Sequence, residues 1–238
     1  MRIHYLQHVP FEGPAGIVSW ARKKGHRLTG THLYNNEAVP AMEQFDWLVV
    51  LGGPMNIYEE ESYPWLRYEK RFIGEAIDKS KTILGICLGA QLITDVLGGR
   101  VTKNPEREIG WLPVAFNGEA FKSPLFEDFP QAPYVFQWHG DTFSTLGAGA
   151  QCIASSDACK HQAFIYEDRV IGFQFHLEST EAGILSLISH CADEMTGGTY
   201  VQDEKQIQAG MGLLKTANSL MDAFLDRLEA YGLSQEGC

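Results

Sequence analysis

Hydrophobic and polar positions along this chain alternate between two periods. Ile3 to His8 reads as a strand, Pro10 to Gly16 as a loop, and Ile17 to Lys24 as a short helix. Arg27 to Tyr34 predicts a second strand. Phe45-Asp46-Trp47-Leu48-Val49-Val50-Leu51 is nearly continuous in apolar residues, which predicts a buried strand closed by Gly52-Gly53-Pro54. Tyr63 to Ser80 has helical spacing, with Trp65, Phe72, Ile73, Ala76 and Ile77 on the inner face. Thr82 to Ile86 is a short apolar run, followed by helix formers that Gly98-Gly99 stops. Strand alternating with helix predicts an α/β fold: a mainly parallel central sheet with helices on both faces.

From about Val101 to Phe175 the pattern changes to short strands with turn residues between them. Val114 to Phe116, Tyr134 to Phe136, Ala163 to Tyr166 and Val170 to Phe175 are the clearest, and they predict a small antiparallel region. A helix is expected over Glu181 to Glu194, a break at Thr196-Gly197-Gly198-Thr199, and a final amphipathic helix over Asp203 to Tyr231. Ile207, Met211, Leu214, Met221, Phe224, Leu225 and Leu228 repeat along it at helical spacing, so it should pack on the sheet or on a neighbouring subunit. No repeat, low-complexity tract or linker interrupts the chain. One domain over residues 1–238, with a helical extension at about 200–232, is the expected organisation.

Composition narrows the function. The 238 residues are 45% hydrophobic and 21% charged, ordinary for a globular protein. A formal net charge of −11 argues against nucleic acid as a partner, and Arg22-Lys23-Lys24 reads as a solvated helix face. Cys87, Cys152, Cys159, Cys191 and Cys238 show neither paired disulfide spacing nor a zinc-binding pattern with histidine. A reducing cytoplasm fits. No membrane-spanning run or signal peptide is read in the sequence.

Three stretches carry chemistry. In Thr82-Ile83-Leu84-Gly85-Ile86-Cys87-Leu88-Gly89-Ala90-Gln91 a strand gives way to a helix at a cysteine flanked by glycines two positions away. This is a nucleophile elbow with cysteine in place of serine; the helix N-terminus should favour the thiolate, the attacking species. In Gly172-Phe173-Gln174-Phe175-His176-Leu177-Glu178, residues i and i+2 of an extended strand share a face, pairing His176 with Glu178. A thiol needs a base and the base needs an orienting carboxylate, so these residues form a set if the two strand ends lie side by side. Gly52-Gly53-Pro54 exposes backbone N–H groups after a strand; Gly53 with the N–H of Leu88 suits an oxyanion hole. His139 precedes Gly140 and Asp141 but has no carboxylate on its own strand face, so a site-shaping role is expected rather than that of a rival base. His4, His8, His26, His32, His161 and His190 have no partner pattern.

Gly85 to Gln91, Gly52-Gly53-Pro54 and Phe175 to Glu178 resemble the class I (triad) glutamine amidotransferases. In spacing the chain is most similar to the domain found in GMP synthetase and to its stand-alone relatives. The likeness spans about residues 1 to 195, and Gln137-Trp138-His139-Gly140-Asp141 resembles the family's His-Gly-Asp segment. The resemblance implies a flavodoxin-like three-layer fold and attack by Cys87 on the side-chain amide of glutamine, releasing ammonia. It implies Cys87, His176 and Glu178 as the triad and Gly53 and Leu88 as oxyanion donors. Gln91 and the backbone from Trp138 through His139 and Gly140 to Asp141 would hold the α-amino and α-carboxylate groups. No metal or organic cofactor is required. Leu177 departs from the pattern, since the family usually has proline between the histidine and the glutamate.

Three functions remain open at this level. One is an amidotransferase or glutaminase working with a separate acceptor subunit, because no ATP motif or synthetase half is recognisable in the sequence. Another is a hydrolase of a different γ-glutamyl amide, such as a γ-glutamyl peptide. The third is a non-catalytic binding or regulatory protein on the same scaffold, against which the intact triad argues. A homo-oligomer is compatible with each.

Overall fold

The computed structural model describes residues 1–236; Cys238 lies outside them. The first elements alternate as the hydrophobic pattern predicts. They are β1 (Arg2–Gln7), α1 (Gly16–Lys24), β2 (Arg27–His32), β3 (Trp47–Val50), α2 (Trp65–Asp78), β4 (Thr82–Ile86) and α3 (Leu88–Val96). After them come β5 (Arg100–Pro113), β6 (Ala115–Phe116), β7 (Tyr134–Thr145), β8 (Gln151–Ser155), β9 (Ala163–Tyr166) and β10 (Val170–Phe173). The chain then turns helical in α4 (Glu181–His190), α5 (Glu204–Ala209) and α6 (Leu214–Glu236).

Eight strands form one sheet in the order β2-β1-β3-β4-β10-β9-β8-β6, and β5 pairs with β7 in a separate antiparallel ribbon. Strands β2, β1, β3, β4 and β10 are parallel, whereas β9, β8 and β6 extend the sheet antiparallel. This is the three-layer, flavodoxin-like architecture. Successive residues of one strand feed opposite cores. Trp47, Val49, Leu84 and Ile86 pack with Ile17 and Trp20 of α1, Ile184 of α4 and Phe224 of α6. Leu48, Val50 and Ile83 pack with Leu66, Phe72 and Ile73 of α2 and Leu92 and Ile93 of α3 on the other face. The strand order changes direction between β1 and β3. In open α/β sheets the crevice beyond the carboxyl ends at such a point is where ligands bind.

The larger departures from the expected boundaries lie beyond α3. The region after Val101 contains two long strands, β5 of 14 residues and β7 of 12, in place of short ones. The polar run from Thr102 to Arg107 concealed the first of them. Strand β10 stops at Phe173, so His176 and Glu178 lie beyond its end. Helix α4 ends at His190 and a separate 3₁₀ turn covers Ala192–Glu194. The final helix is broken at Gly210–Leu213. Gly210 lies against Trp111, whose ring a Cβ at that position would approach to 2.2 Å. Close approach to the β5–β7 ribbon, as much as weak helix propensity, sets the break.

The last helix packs on the sheet. Phe224 meets Phe173 at 5.0 Å and Phe126 at 5.5 Å between ring centroids. The Asn218 amide donates to the carbonyls of Leu177 at 2.8 Å and Ser179 at 2.9 Å, bracketing Glu178 from outside. Leu177 is itself buried in the core, so its apolar side chain helps fix a backbone that lacks the family's proline. Phe224→Ala should lower the unfolding free energy by about 3–5 kcal/mol, the usual cost of emptying a buried aromatic site. Urea unfolding measures it; a loss below about 1 kcal/mol would show that α6 is not packed as described.

Candidate active site

The carboxyl ends of β1, β3, β4 and β10 meet at one edge of the sheet. Cys87 follows β4 with φ 50° and ψ −107°, a left-handed backbone that a non-glycine residue adopts at a cost of about 1–3 kcal/mol. The flanking glycines make the turn possible. A Cβ on Gly89 would lie 2.0 Å from the Val50 carbonyl oxygen, and one on Gly85 would lie 2.7 Å from the Ala90 nitrogen. The Cys87 N–H donates to the Phe173 carbonyl at 2.7 Å, which joins the ends of β4 and β10. The side-by-side placement that the sequence required is therefore present.

His176 is held by an isolated bridge to β7, its N–H donating to the Phe136 carbonyl at 2.8 Å. Its Nδ1 lies 2.6 Å from Glu178 Oε1, and both side chains are buried. The pairing expected from strand periodicity occurs, but through this bridge and a bend past β10 rather than along a strand. With Nδ1–H donated to the carboxylate, Nε2 is the nitrogen left to exchange a proton with Cys87. The thiol reaches the Trp138 carbonyl at 3.6 Å and receives the Gln174 amide at 3.5 Å.

Electrostatics revise one expectation. The helix N-terminus should favour thiolate, yet burial pushes the Cys87 thiol up, while the hydrogen bond and charge of His176 and the Leu88 N–H pull it back. A helix terminus is worth about 0.3–1 kcal/mol, too little to outweigh dehydration of a buried thiolate. Thiolate character here depends on His176. Burial opposes charge on that imidazole, but Glu178 and Cys87 outweigh it and hold it well above its ordinary value.

A cavity of about 240 Å³ opens over Cys87 and His176, bordered by Gly53, Gln91, Trp138, His139, Gly140 and Asp141. The structure thus gathers the sequence-selected residues in one place, with Leu88 buried beneath at the first position of α3. Gln91 donates its amide to Gln174 Oε1 at 3.2 Å and toward the Asp141 carbonyl at 3.4 Å. His139 has no carboxylate on its own strand but takes one from the neighbouring strand: Glu108 Oε2 lies 3.1 Å from Nε2, and the Asp141 carbonyl 2.9 Å from Nδ1. With both nitrogens engaged, the ring has none to offer Cys87.

Sequence reasoning missed several residues here. Arg107, Glu194 and Cys191 line the cavity, and Asn56 donates to the Asp141 carboxylate at 2.5 Å. His8, which shows no partner pattern, is fully buried between the Gly52 carbonyl and Glu69 Oε1, each 2.8 Å away. Both ring nitrogens face acceptors; burial opposes the charge, but Glu69 and the carbonyl raise His8 above its usual value. This pair fixes the Gly52-Gly53 loop from below. Glu12, from the loop after β1, also borders the cavity.

The sequence pattern of the family described as glutamine amidotransferase class-I matches residues 17–183. The chain belongs to the class-I glutamine amidotransferase family. It is 33% identical over 235 residues to a glutamine amidotransferase-like protein of Salmonella typhimurium, YfeJ, covering 96% of this chain and 97% of that one. A crystal structure of a glutamine amidotransferase from Thermotoga maritima superposes with a TM-score of 0.86 at 31% identity, over 96% of this chain and 97% of the other. GMP synthase of Vibrio vulnificus, named as glutamine-hydrolyzing, is 32% identical over 136 residues, which are 57% of this chain but 24% of that protein. Among the described residues no helix is long and apolar enough to cross a membrane.

The charge coupling at Cys87 has a signed consequence. His176 lowers the thiol pKa and Glu12 raises it. Alkylation of Cys87 by iodoacetamide, followed by peptide mass mapping against pH, should shift to higher pH in His176→Ala and to lower pH in Glu12→Gln. Coincident profiles for all three proteins would contradict the coupling.

Proposed function

We propose that this protein hydrolyses a γ-glutamyl amide through a Cys87 γ-glutamyl thioester, with glutamine as the simplest substrate. The observation that supports it most strongly is the strained Cys87 elbow beside the buried His176–Glu178 pair, opening on one cavity. The Cys87 sulfur attacks the δ-carbonyl of glutamine, and the N–H groups of Gly53 and Leu88 stabilise the tetrahedral oxyanion. His176, kept protonated by Glu178, gives its proton to the leaving nitrogen as the C–N bond breaks. Water, deprotonated by His176, then cleaves the thioester, frees glutamate and returns the thiol. The residues named need no metal or organic cofactor for these steps.

The cavity lining offers groups that a glutamyl half would use. With its amide nitrogen engaged, Gln91 presents its carbonyl oxygen to an α-ammonium. Arg107 and the backbone from Trp138 to Asp141 border the same cavity and would receive the α-carboxylate. A second cavity of about 300 Å³, which shares Glu12, His176 and Leu187 with the first, leaves room for a leaving group larger than ammonia. That observation favours a γ-glutamyl peptide or other substituted amide as a second reading. Ammonia transfer to a separate synthetase subunit is the alternative within the family, as the GMP synthase match suggests.

The purified chain should turn over glutamine or at least one member of a panel of γ-glutamyl amides. Cys87→Ala and His176→Ala should each lose nearly all activity, because triad members act as a unit, and Glu178→Gln should be milder. Gln91→Ala should raise KM more than it lowers kcat, since it removes contacts made equally in ground and transition states. An active His176→Ala paired with an inactive His139→Ala would overturn the triad. Equal rates on an amide lacking the α-amino group would overturn the recognition scheme.

A further inference from the structure

The steps above leave one group at the reacting centre without a role. Glu12 follows β1 in the segment Phe11-Glu12-Gly13, and its carboxyl leans over Gly52. A Cβ on Gly52 would sit 2.6 Å from Glu12 Oε2, 3.3 Å from His176 Cε1 and 3.7 Å from Cys87 Cβ. The carboxyl, the imidazole and the nucleophile therefore crowd around one point. Among the described residues, no hydrogen bond reaches the Glu12 carboxyl oxygens. The Glu12 side chain is half-buried and borders both cavities, so its carboxyl, beside the nucleophile, is open to a ligand.

Its position selects which ligand. Glu12 and His176 border both cavities. The first carries Gln91, Arg107, Trp138 and Asp141, the groups suited to the glutamyl half. The second lies on the other side of Glu12, against Phe11, Ala15, Thr180, Ser186 and Leu187. When the C–N bond breaks, the leaving nitrogen is next to His176, the group that protonates it, and so next to Glu12. The surrounding charges are balanced. Burial holds Glu12 up, His176 and His8 pull it down, and Glu178 and Glu194 push it up again, leaving it at about 7. Cys87 faces it as well. Both forms of the carboxyl are thus populated near neutrality, where a group that both gives and regains a proton works best.

We propose that Glu12 captures the departing amine: its carboxylic acid protonates the amine released from the γ-carbonyl and holds the resulting ammonium ion at the entrance to the second cavity. This rests on the γ-glutamyl hydrolase reading and extends it. The bonds and protons balance. The Cys87 sulfur forms the S–C bond, and the C–N electron pair leaves with nitrogen, which takes the His176 proton to become a neutral amine. That amine takes the Glu12 proton, giving an ammonium ion paired with a carboxylate. Thioester hydrolysis then generates a γ-carboxyl group, whose proton restores Glu12 after the ammonium ion leaves. Protonation removes the lone pair that an acceptor would need. A carboxylic acid at this point makes the chain a self-contained hydrolase that discharges ammonium or an alkylammonium, and ill suited to deliver free ammonia to a partner.

The test compares two leaving groups on one enzyme preparation. γ-Glutamyl methylamide releases a basic amine, whereas γ-glutamyl-p-nitroanilide releases one too weakly basic to take a proton from a carboxylic acid. In Glu12→Gln the ratio of kcat/KM on methylamide to that on p-nitroanilide should fall at least tenfold relative to the unaltered chain. Glu12→Ala, read by the same ratio, should fall as far. Because both substrates see the same preparation, loss of folded protein cancels. A ratio within twofold of the unaltered chain in both variants would overturn the role of Glu12. Failure of the parent reading is separate: the unaltered chain would then release no p-nitroaniline in a Cys87-dependent manner.

Discussion

The left-handed backbone at Cys87 exists because nothing larger than hydrogen stands at Gly85 and Gly89. With Gly89 pressed against the Val50 carbonyl, α3 starts hard against β3, and the thiol is raised above the sheet edge. The same turn aims the Cys87 N–H at the Phe173 carbonyl, which draws β10 alongside β4. His176 and Glu178 come after β10, so the position of all three residues follows from the geometry of one turn. Three further elements hold their positions relative to it: β7 through the Phe136–His176 bridge, α6 through Asn218, and α1 through the Gly16 N–H donated to the Glu178 carbonyl at 2.8 Å.

Around that turn the protein uses one device three times. His176–Glu178, His8–Glu69 and His139–Glu108 are all buried histidine–carboxylate pairs bordering the same cavity or the loop beneath it. Their settings give them different work. His176 keeps Nε2 for Cys87. His8 spends both nitrogens on fixing the Gly52-Gly53 loop. His139 spends both on tying β7 to β5, where Glu108 also accepts from Ser156 and Gln162. Breaking such a pair by removing one partner costs about 3–5 kcal/mol, so each anchors its backbone firmly. Burial, which makes these pairs rigid, also works against the Cys87 thiolate, leaving its charge dependent on His176.

What could be read from the sequence was local. Gly85 to Gln91 announces an elbow because strand, glycines, cysteine and helix are contiguous. His176 and Glu178 were paired on a periodicity argument that gave the right partners through the wrong geometry, since β10 had already ended. The alternating elements up to Val96 were legible because each buries a face that its own spacing reveals. What stayed hidden depends on distant partners. His8 and Glu69 are 61 positions apart and Glu108 and His139 are 31 apart, and no local pattern marks either pair. Glu12 lies in the loop after β1, and only the fold brings its carboxyl over Gly52. The start of β7 at Tyr134 was legible, but the length of the β5–β7 ribbon was not, because β5 runs through the polar stretch from Thr102 to Arg107.

The central claim is that Cys87 carries a γ-glutamyl group during turnover. Rapid acid quench of the chain mixed with glutamine or a γ-glutamyl amide it turns over, followed by digestion and mass spectrometry, tests this directly. The account predicts a hydroxylamine-sensitive increment of one γ-glutamyl group on the Cys87 peptide, accumulating when Glu178→Gln slows deacylation. Steady turnover with the increment on Cys152, Cys159, Cys191 or Cys238, or with no thioester on any cysteine under conditions that trap one, would contradict it.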